Sequence, residues 1–178
     1  MDDQRLAAQV QRGEQTAWAA LVERHYDALF GYLFRLTYGN RALAEDLLHE
    51  TFLRVMRGIH GYDATRPFKP YLYAIATNLV RNHFSSADQR RTDSREPDDD
   101  LPAEEQQEID ALDEQQAVIA ALRALPSAQR EVIILAYYQA LPLAEIAQTL
   151  DIPLGTVKSR LSNGVARLRE RMKAHDSA

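Results

Sequence analysis

Apolar residues recur at intervals of three and four along most of the chain, the period of an amphipathic helix. Alternating β-branched runs, which would indicate strands, are scarce. The first long stripe consists of Trp18, Leu21, Val22, Leu29, Phe30, Leu33 and Leu36. It ends before Gly39 and Asn40, two residue types suited to a left-handed turn. The pattern predicts an all-α protein.

A second predicted helix follows directly and stops at Gly58 and Gly61. Its buried face is Leu43, Leu47, Leu48, Phe52, Val55 and Met56. Its charged face carries Asp46, Glu50, Arg54 and Arg57. Residues 58–70 contain two glycines and two prolines, so they predict a loop.

A third helix is predicted to begin near residues 69–71 and to have an unusual polar face. Its predicted core face is Leu72, Ile75, Ala76, Leu79, Val80 and His83. The opposite face is Tyr71, Ala74, Asn78, Arg81, Asn82 and Ser85. This face holds no carboxylate, whereas a solvated helix face normally mixes both signs of charge.

Charge divides the 178-residue chain into three parts. Residues 1–87 have a net charge of +1, residues 88–116 of −9, and residues 117–178 of +3. The stretch from Ser85 to about Gln116 is rich in Asp, Glu, Gln and Ser and contains Pro97 and Pro102, so an extended, disordered segment is expected. We therefore predict two small helical domains, 1–87 and 117–178, joined by an acidic flexible linker, 88–116.

Composition narrows the function classes. The overall charge of −5 would argue against a nucleic-acid partner, but the acidity is concentrated in the predicted linker and the C-terminal part is basic. The chain has no cysteine, no signal-peptide core near Met1 and no run of about 18 apolar residues, so a cytoplasmic protein without stable membrane insertion is expected. Its five histidines lack metal-ligand spacing and no glycine-rich phosphate loop occurs, so we expect no enzyme, metal site or cofactor.

Residues 143–161 have the spacing of a DNA-binding helix-turn-helix. Ala147 is small enough for two helices to pass closely, Asp151 tolerates a left-handed turn, Ile152 fills the corner, and Pro153 pre-sets φ for the second helix. A helix upstream closes at Pro126, and Ser127 can cap the next one.

In the second helix of this motif, Val157, Leu161, Val165 and Leu168 are predicted to point inward. The outer face then carries Thr156, Ser159, Arg160, Asn163 and Arg167. Arg, Asn and Ser can hydrogen-bond base edges, and Lys158 and Arg167 can neutralise phosphates beside the groove. The alternative interpretation of this motif alone is an ordinary amphipathic helix pair with a solvated basic face.

Motifs in both halves resemble extracytoplasmic-function (ECF) sigma factors of RNA polymerase. ALPSAQREVI (124–133), LAEIA (143–147) and GTVKSRL (155–161) resemble region 4. AEDLLHETFLRV (44–55) resembles region 2.2, YLYAIATNL (71–79) resembles regions 2.3 and 2.4, and VQRGEQTAW (10–18) is typical of the family's start. Two motif sets in the right order are more specific than either alone.

The resemblance implies roles for the faces already described. Region 2.2 docks on the polymerase clamp, which implies Asp46, Glu50 and Arg54, although a solvated i, i+4 charge face is an equal alternative. Region 2.4 and its preceding loop melt the −10 element and trap an unstacked base. This implies base contacts from Asn78 and Asn82, stacking by Tyr71 and Phe68, and phosphate contacts from Arg66, Lys69 and Arg81.

Region 4 reads the −35 element as duplex, which implies contacts from the helix-turn-helix residues Thr156, Lys158, Ser159, Arg160, Asn163 and Arg167. The implied partners are core RNA polymerase, promoter DNA and an anti-sigma factor. The chain departs from the family pattern at Tyr71, Ala74, Leu143 and residues 162–165, where Gly164 costs about 1 kcal/mol relative to Ala inside a helix. The alternative function is a two-domain helix-turn-helix regulator that does not replace the housekeeping sigma factor.

Overall fold

The computed structural model describes residues 1–93 and 111–177. Within these residues the chain is helical, and no strand occurs there. The N-terminal helices are α1 (Asp3–Gln11), α2 (Gln15–Leu36), α3 (Arg41–Gly58), a 3-10 turn (Ile59–Gly61) and α4 (Phe68–Asp93). The C-terminal helices are α5 (Ala111–Arg123), α6 (Ser127–Ile133), a π-helical turn (Ile134–Tyr138), α7 (Leu143–Leu150) and α8 (Leu154–Asp176). The all-α prediction is confirmed.

The helices extend further into the predicted linker than the sequence pattern indicated. The expectation of an extended chain from Ser85 is wrong at its start, because α4 continues to Asp93. Ala, Gln and Arg are strong helix formers, and no proline interrupts them before Pro97. At the other end α5 already begins at Ala111. Residues 94–110 of the predicted linker lie outside the described residues.

The N-terminal helices form a bundle around one apolar core. Its fully buried side chains include Leu21, Leu29, Leu33, Leu48 and Leu72. Polar groups inside the bundle are paired, as buried polar groups must be. The Tyr32 hydroxyl lies 2.6 Å from Thr77 Oγ1, and Thr77 in turn donates to the backbone carbonyl of Tyr73.

Helix α1 is held on the bundle by an ionic contact that the sequence analysis did not predict. Asp3 Oδ1 lies 2.7 Å from Arg24 Nη1, and Asp3 Oδ2 lies 3.0 Å from Nε2 of the buried His25. Burial acts to raise the pKa of Asp3, but the hydrogen bonds and charges of His25 and Arg24 outweigh burial and lower that pKa to about 2. The carboxylate is therefore stabilised in its charged form.

This contact makes stability depend on acid pH. Because the folded-state pKa lies below the ordinary 3.8, the stabilisation is complete above pH 4 and is lost as pH falls towards 2. We expect Asp3→Asn to lower the free energy of unfolding by about 1–2 kcal/mol at pH 7, with a smaller difference from wild type near pH 3. Urea unfolding at both pH values measures this, with the exposed Asp27→Asn as control. A deficit equal at both pH values would contradict it.

The buried apolar side chains of the C-terminal helices join the same apolar cluster and include Leu122, Leu125, Val132, Ile133, Leu135, Ile146 and Val157. Helix α8 crosses α6 at Gly164, where an added Cβ would lie 2.6 Å from Ile133 Cδ1 and 3.3 Å from Gln129 Cβ. The glycine thus permits close approach of the two helices, which accounts for its place inside a helix. Ser127 does not cap α6 with its side chain. It is the first helical residue, and Pro126 precedes the helix.

Candidate nucleic-acid interface

Helices α7 and α8 form the predicted helix-turn-helix. Asp151 ends α7 in the left-handed conformation, with φ 53° and ψ 52°. The amide of Ile152 then bonds to the carbonyl of Ala147 at 3.1 Å, while the carbonyl of Pro153 accepts from Thr156 and Val157 at the start of α8. The turn geometry follows the roles that the sequence assigned to these residues.

The outer face of α8 presents the polar residues that the sequence grouped there. Lys158, Ser159, Asn163 and Arg167 are exposed, and Thr156 and Arg160 are half-buried. On the opposite side Val157 is fully buried, and Leu161 and Leu168 pack against the core. Ser159 Oγ donates to the carbonyl of Thr156 at 3.1 Å, so its lone pairs remain outward. Its residue types are those that can hydrogen-bond base edges in a major groove.

The carboxylate-free face of α4 is present, with differences at its edges. Asn78, Arg81 and Asn82 are exposed. His83, predicted in the core, is also exposed. Arg81 is not a free cation: its guanidinium forms two bonds to the carboxylate of Glu131, at 2.9 and 2.6 Å.

Two aromatic residues predicted to stack on bases lie differently in the structure. Phe68 is only 3% exposed, because its ring packs on His25 at 5.4 Å and on Tyr62 at 5.7 Å between ring centres. Its predicted role as a stacking platform is therefore wrong for this conformation. Tyr71 is half-buried, and its ring centre lies 4.8 Å from that of Tyr62. Burial raises the pKa of the Tyr71 hydroxyl.

The loop before α4 is shaped by its own polar contacts. Asp63 Oδ1 accepts from the Thr65 amide at 3.0 Å and from the Thr65 hydroxyl at 2.7 Å, and these bonds lower the pKa of Asp63. The Tyr62 hydroxyl donates to the carbonyl of Arg66. Arg66 and Lys69 are both exposed, and Arg66 Nε lies 3.6 Å from Asp63 Oδ2.

Gln11 of α1 positions this loop, which the sequence analysis missed. Its Nε2 donates to the carbonyls of Ile59 and Tyr62, each at 2.7 Å. Gln4, two turns earlier on the same helix, donates to the carbonyl of Thr65 at 3.2 Å. A single polar residue carries no periodic signal, so only the tertiary structure assigns this contact.

Replacing Gln11 with Met keeps the side-chain length but removes both donors. We expect the free energy of unfolding to fall by about 1–2 kcal/mol, because two partly buried carbonyls lose the Gln11 donor. Amide hydrogen exchange over residues 59–66 should accelerate more than exchange in α2. The exposed Gln15→Met is the matched control. Unchanged exchange in the loop of Gln11→Met would show that Gln11 does not hold it.

The predicted polymerase-contact face lies on α3. Asp46 and Arg54 are exposed, Glu50 is half-buried, and Glu50 Oε1 lies 2.9 Å from Arg54 Nε. Met56, predicted in the core, is 45% exposed, and Leu53 is 42% exposed. These two apolar side chains extend the charged face into a mixed surface of the kind that protein partners cover.

Two negative observations apply to residues 1–93 and 111–177. No group of three or more His, Asp or Glu side chains is placed to hold a metal ion there. None of the helices in those ranges combines the length and apolar composition required to cross a bilayer.

A helix-turn-helix with an open outer face, packed beside a helical bundle, is the architecture of a DNA-binding transcription factor. Residues 21–91 match the family Sigma-70 region 2, and residues 121–170 match Sigma-70, region 4. The chain is 33% identical over 184 residues to the ECF RNA polymerase sigma factor SigW of Bacillus subtilis, covering 93% of this chain and 94% of that protein.

A second relative indicates the same family. SigL of Mycobacterium tuberculosis, also an ECF RNA polymerase sigma factor, is 35% identical over 88% of this chain and 89% of its own length. Among solved structures, CnrH in complex with the cytosolic domain of CnrY superposes with a TM-score of 0.75, at 26% identity and 97% coverage of both chains. The chain belongs to the ECF family of RNA polymerase sigma factors, which are DNA-binding transcription initiation factors. The predicted family is confirmed.

Proposed function

We propose that this sigma factor binds core RNA polymerase and assigns promoter melting and duplex reading to separate domains. Residues 1–87 would bind polymerase and melt the −10 element, residues 117–178 would read the −35 element, and residues 88–116 would join them. One observation carries this division: the chain presents two separate polar faces suited to nucleic acid, on α4 and on α8.

For the −10 element, the exposed amides of Asn78 and Asn82 are available to hydrogen-bond the edges of unpaired bases. Arg66, Lys69 and Arg81 would hold the phosphates of the single strand. Tyr71 would contact a base with the exposed part of its ring, while Phe68, buried behind it, would support that ring from the core side.

For the −35 element, α8 would enter the major groove, as the second helix of a helix-turn-helix does. Arg160, Asn163 and Ser159 would contact base edges, and Lys158, Thr156 and Arg167 would contact the backbone. For the polymerase, α3 would dock through Asp46, Glu50 and Arg54, together with the neighbouring Leu53 and Met56.

An anti-sigma factor is a further proposed partner. CnrH is seen in complex with the cytosolic domain of CnrY, and this chain shares its fold across both domains. We propose that the protein acts in the cytoplasm, without catalytic activity or a cofactor. The rival function, a regulator acting without polymerase, is disfavoured because the N-terminal half matches sigma region 2.

The division of labour can be tested with two DNA probes and a holoenzyme reconstituted from core polymerase. One probe is a −35 duplex, and the other is a fork with an unpaired −10 strand. The double variant Asn163→Ala, Arg167→Ala should weaken duplex binding roughly tenfold or more and leave fork binding within about twofold. Equal weakening on both probes would overturn the assignment of duplex reading to α8.

A further inference from the structure

The C-terminal helices contact the face of α4 that is proposed to bind single-stranded DNA. Arg81 of α4 and Glu131 of α6 meet through two parallel bonds, Nε to Oε1 at 2.9 Å and Nη2 to Oε2 at 2.6 Å. The Glu131 side chain is only 7% exposed. This two-pronged geometry is the strongest form of an arginine–carboxylate contact.

The π-helical turn adds two contacts beside this pair. The Tyr73 hydroxyl donates to Gln139 Oε1 at 2.6 Å, and both groups are buried. The guanidinium of Arg35 lies 4.0 Å from the ring centre of Tyr138. Tyr138 ends the turn and Gln139 follows it, so this irregular segment aims adjacent side chains at α4 and α2. Such π-helical turns are rare and occur frequently at functional sites.

Two more contacts lie just after the end of α2. The Arg130 guanidinium donates to the Tyr38 hydroxyl at 2.8 Å, and the Arg123 guanidinium lies 4.9 Å from the Tyr38 ring centre. These polar and charge-assisted contacts accompany apolar packing: α7 packs against α4, and the buried apolar residues of the two halves form one continuous cluster. Salt weakens the exposed ionic contacts among them.

The Glu131 carboxylate and a DNA phosphate would therefore compete for Arg81. A carboxylate and a phosphate both offer paired oxygens to a guanidinium, so either one, but not both at once, can occupy its Nε and Nη2 edge. While Glu131 occupies Nε and Nη2, DNA cannot use that edge.

We propose that Glu131 is an internal substitute for DNA phosphate, and that its bond to Arg81 holds the free chain in a closed arrangement that must open before α4 can bind the −10 strand. The closed arrangement is inferred from these contacts alone, whereas its effect on DNA binding rests on the proposed function. Binding of polymerase or of a promoter then competes with the chain's own C-terminal domain.

Closure can be measured without DNA. The chain has no cysteine, so Ala42→Cys and Ala166→Cys, both exposed positions, give a unique pair of dye sites on α3 and α8. We expect Glu131→Gln, which keeps the shape of the side chain, to lower energy transfer in the free protein. Glu170→Gln, an exposed carboxylate on α8 with the same charge change, should not. Raising the salt concentration should lower transfer in wild type more than in Glu131→Gln.

The consequence for DNA is measured by fluorescence anisotropy with a single-stranded −10 oligonucleotide and the free full chain. Glu131→Gln should bind roughly threefold to tenfold more tightly than wild type, with Glu170→Gln unchanged. Gln139→Met, which removes the Tyr73 contact without a charge change, should shift both readouts in the same direction. Circular dichroism establishes that each variant is folded.

Three results would overturn the inference. Unchanged energy transfer in Glu131→Gln and in Gln139→Met would show that these contacts do not hold the domains together. If energy transfer disappears when the labelled chain is diluted with unlabelled chain, the contact lies between two copies of the protein. Lower transfer without tighter oligonucleotide binding would show that Glu131 does not compete with DNA. If wild-type holoenzyme melts no promoter at all, the proposed function is wrong. The closed arrangement is tested separately, by the energy-transfer measurement.

Discussion

Replacing both Asn78 and Asn82 with Ala is expected to reduce promoter opening by the reconstituted holoenzyme at least tenfold. Both amides are exposed on α4, so their removal leaves the core of the bundle intact. A contact to a base contributes about 1–3 kcal/mol, and a loss of about 1.4 kcal/mol corresponds to a factor of ten. Because the proposed contacts would form only with the unpaired strand, the defect should lie in melting.

The measurement is the fluorescence of 2-aminopurine placed in the −10 element, followed after mixing holoenzyme with promoter DNA. Binding to a −35 duplex should remain within about twofold of wild type, because α8 is untouched. The double variant Ser86→Ala, Gln89→Ala alters exposed residues of the same helix and serves as control. Opening at the wild-type rate would remove Asn78 and Asn82 from the site.

Arg130→Met is expected to lower the free energy of unfolding by about 3 kcal/mol, the largest stability effect of any single change considered for this chain. Arg130 is buried, and its guanidinium donates to the carbonyls of Leu122, Arg123 and Leu125 as well as to Tyr38. Leu122 and Arg123 end α5, where the helix dipole favours a cation, and Leu125 follows just after it. Met fills the space but removes the guanidinium donors from these carbonyls.

Urea unfolding followed by circular dichroism gives the free energy. Arg130→Lys should recover only part of the loss, because an ammonium group cannot span three carbonyls as the planar guanidinium does. Arg123→Met removes an exposed cation from the same turn and should cost less than about 1 kcal/mol. An Arg130→Met protein as stable as wild type would contradict the role of Arg130 as the cap of α5.

The features that the sequence predicted well are those with a local physical signal. The helix-turn-helix follows from apolar spacing and from one residue, Asp151, that accepts the left-handed turn. The exposed polar face of α4 follows from a helical period and from the types of residue on it. Family membership followed from motifs in both halves, which the matches to sigma regions 2 and 4 confirm.

The errors concern positions at the edge of a helical face, where the neighbouring elements decide burial. Phe68 is covered by His25 and Tyr62, while Met56 and His83 are exposed among the residues that the structure describes. A helical period gives a direction around one axis and does not show which side another helix occupies. The roles of individual residues at the polymerase and DNA faces stay predictions.

Contacts between distant segments leave no trace in a local pattern. Gln11 lies 48 residues from the carbonyl of Ile59, and Arg81 lies 50 residues from Glu131. Nothing in the residue types alone indicates that these pairs meet. The tertiary structure therefore adds the loop anchor and the interdomain contact to the site that the sequence outlined.

The most direct test of the central claim is run-off transcription from a promoter fragment with purified core polymerase, with and without this protein. We predict a transcript with a defined start only when the protein is present, reduced at least tenfold by Asn78→Ala, Asn82→Ala and restored by the wild-type chain. Tight DNA binding by the protein alone, with no polymerase-dependent transcript from any genomic fragment, would contradict the proposed function as a sigma factor.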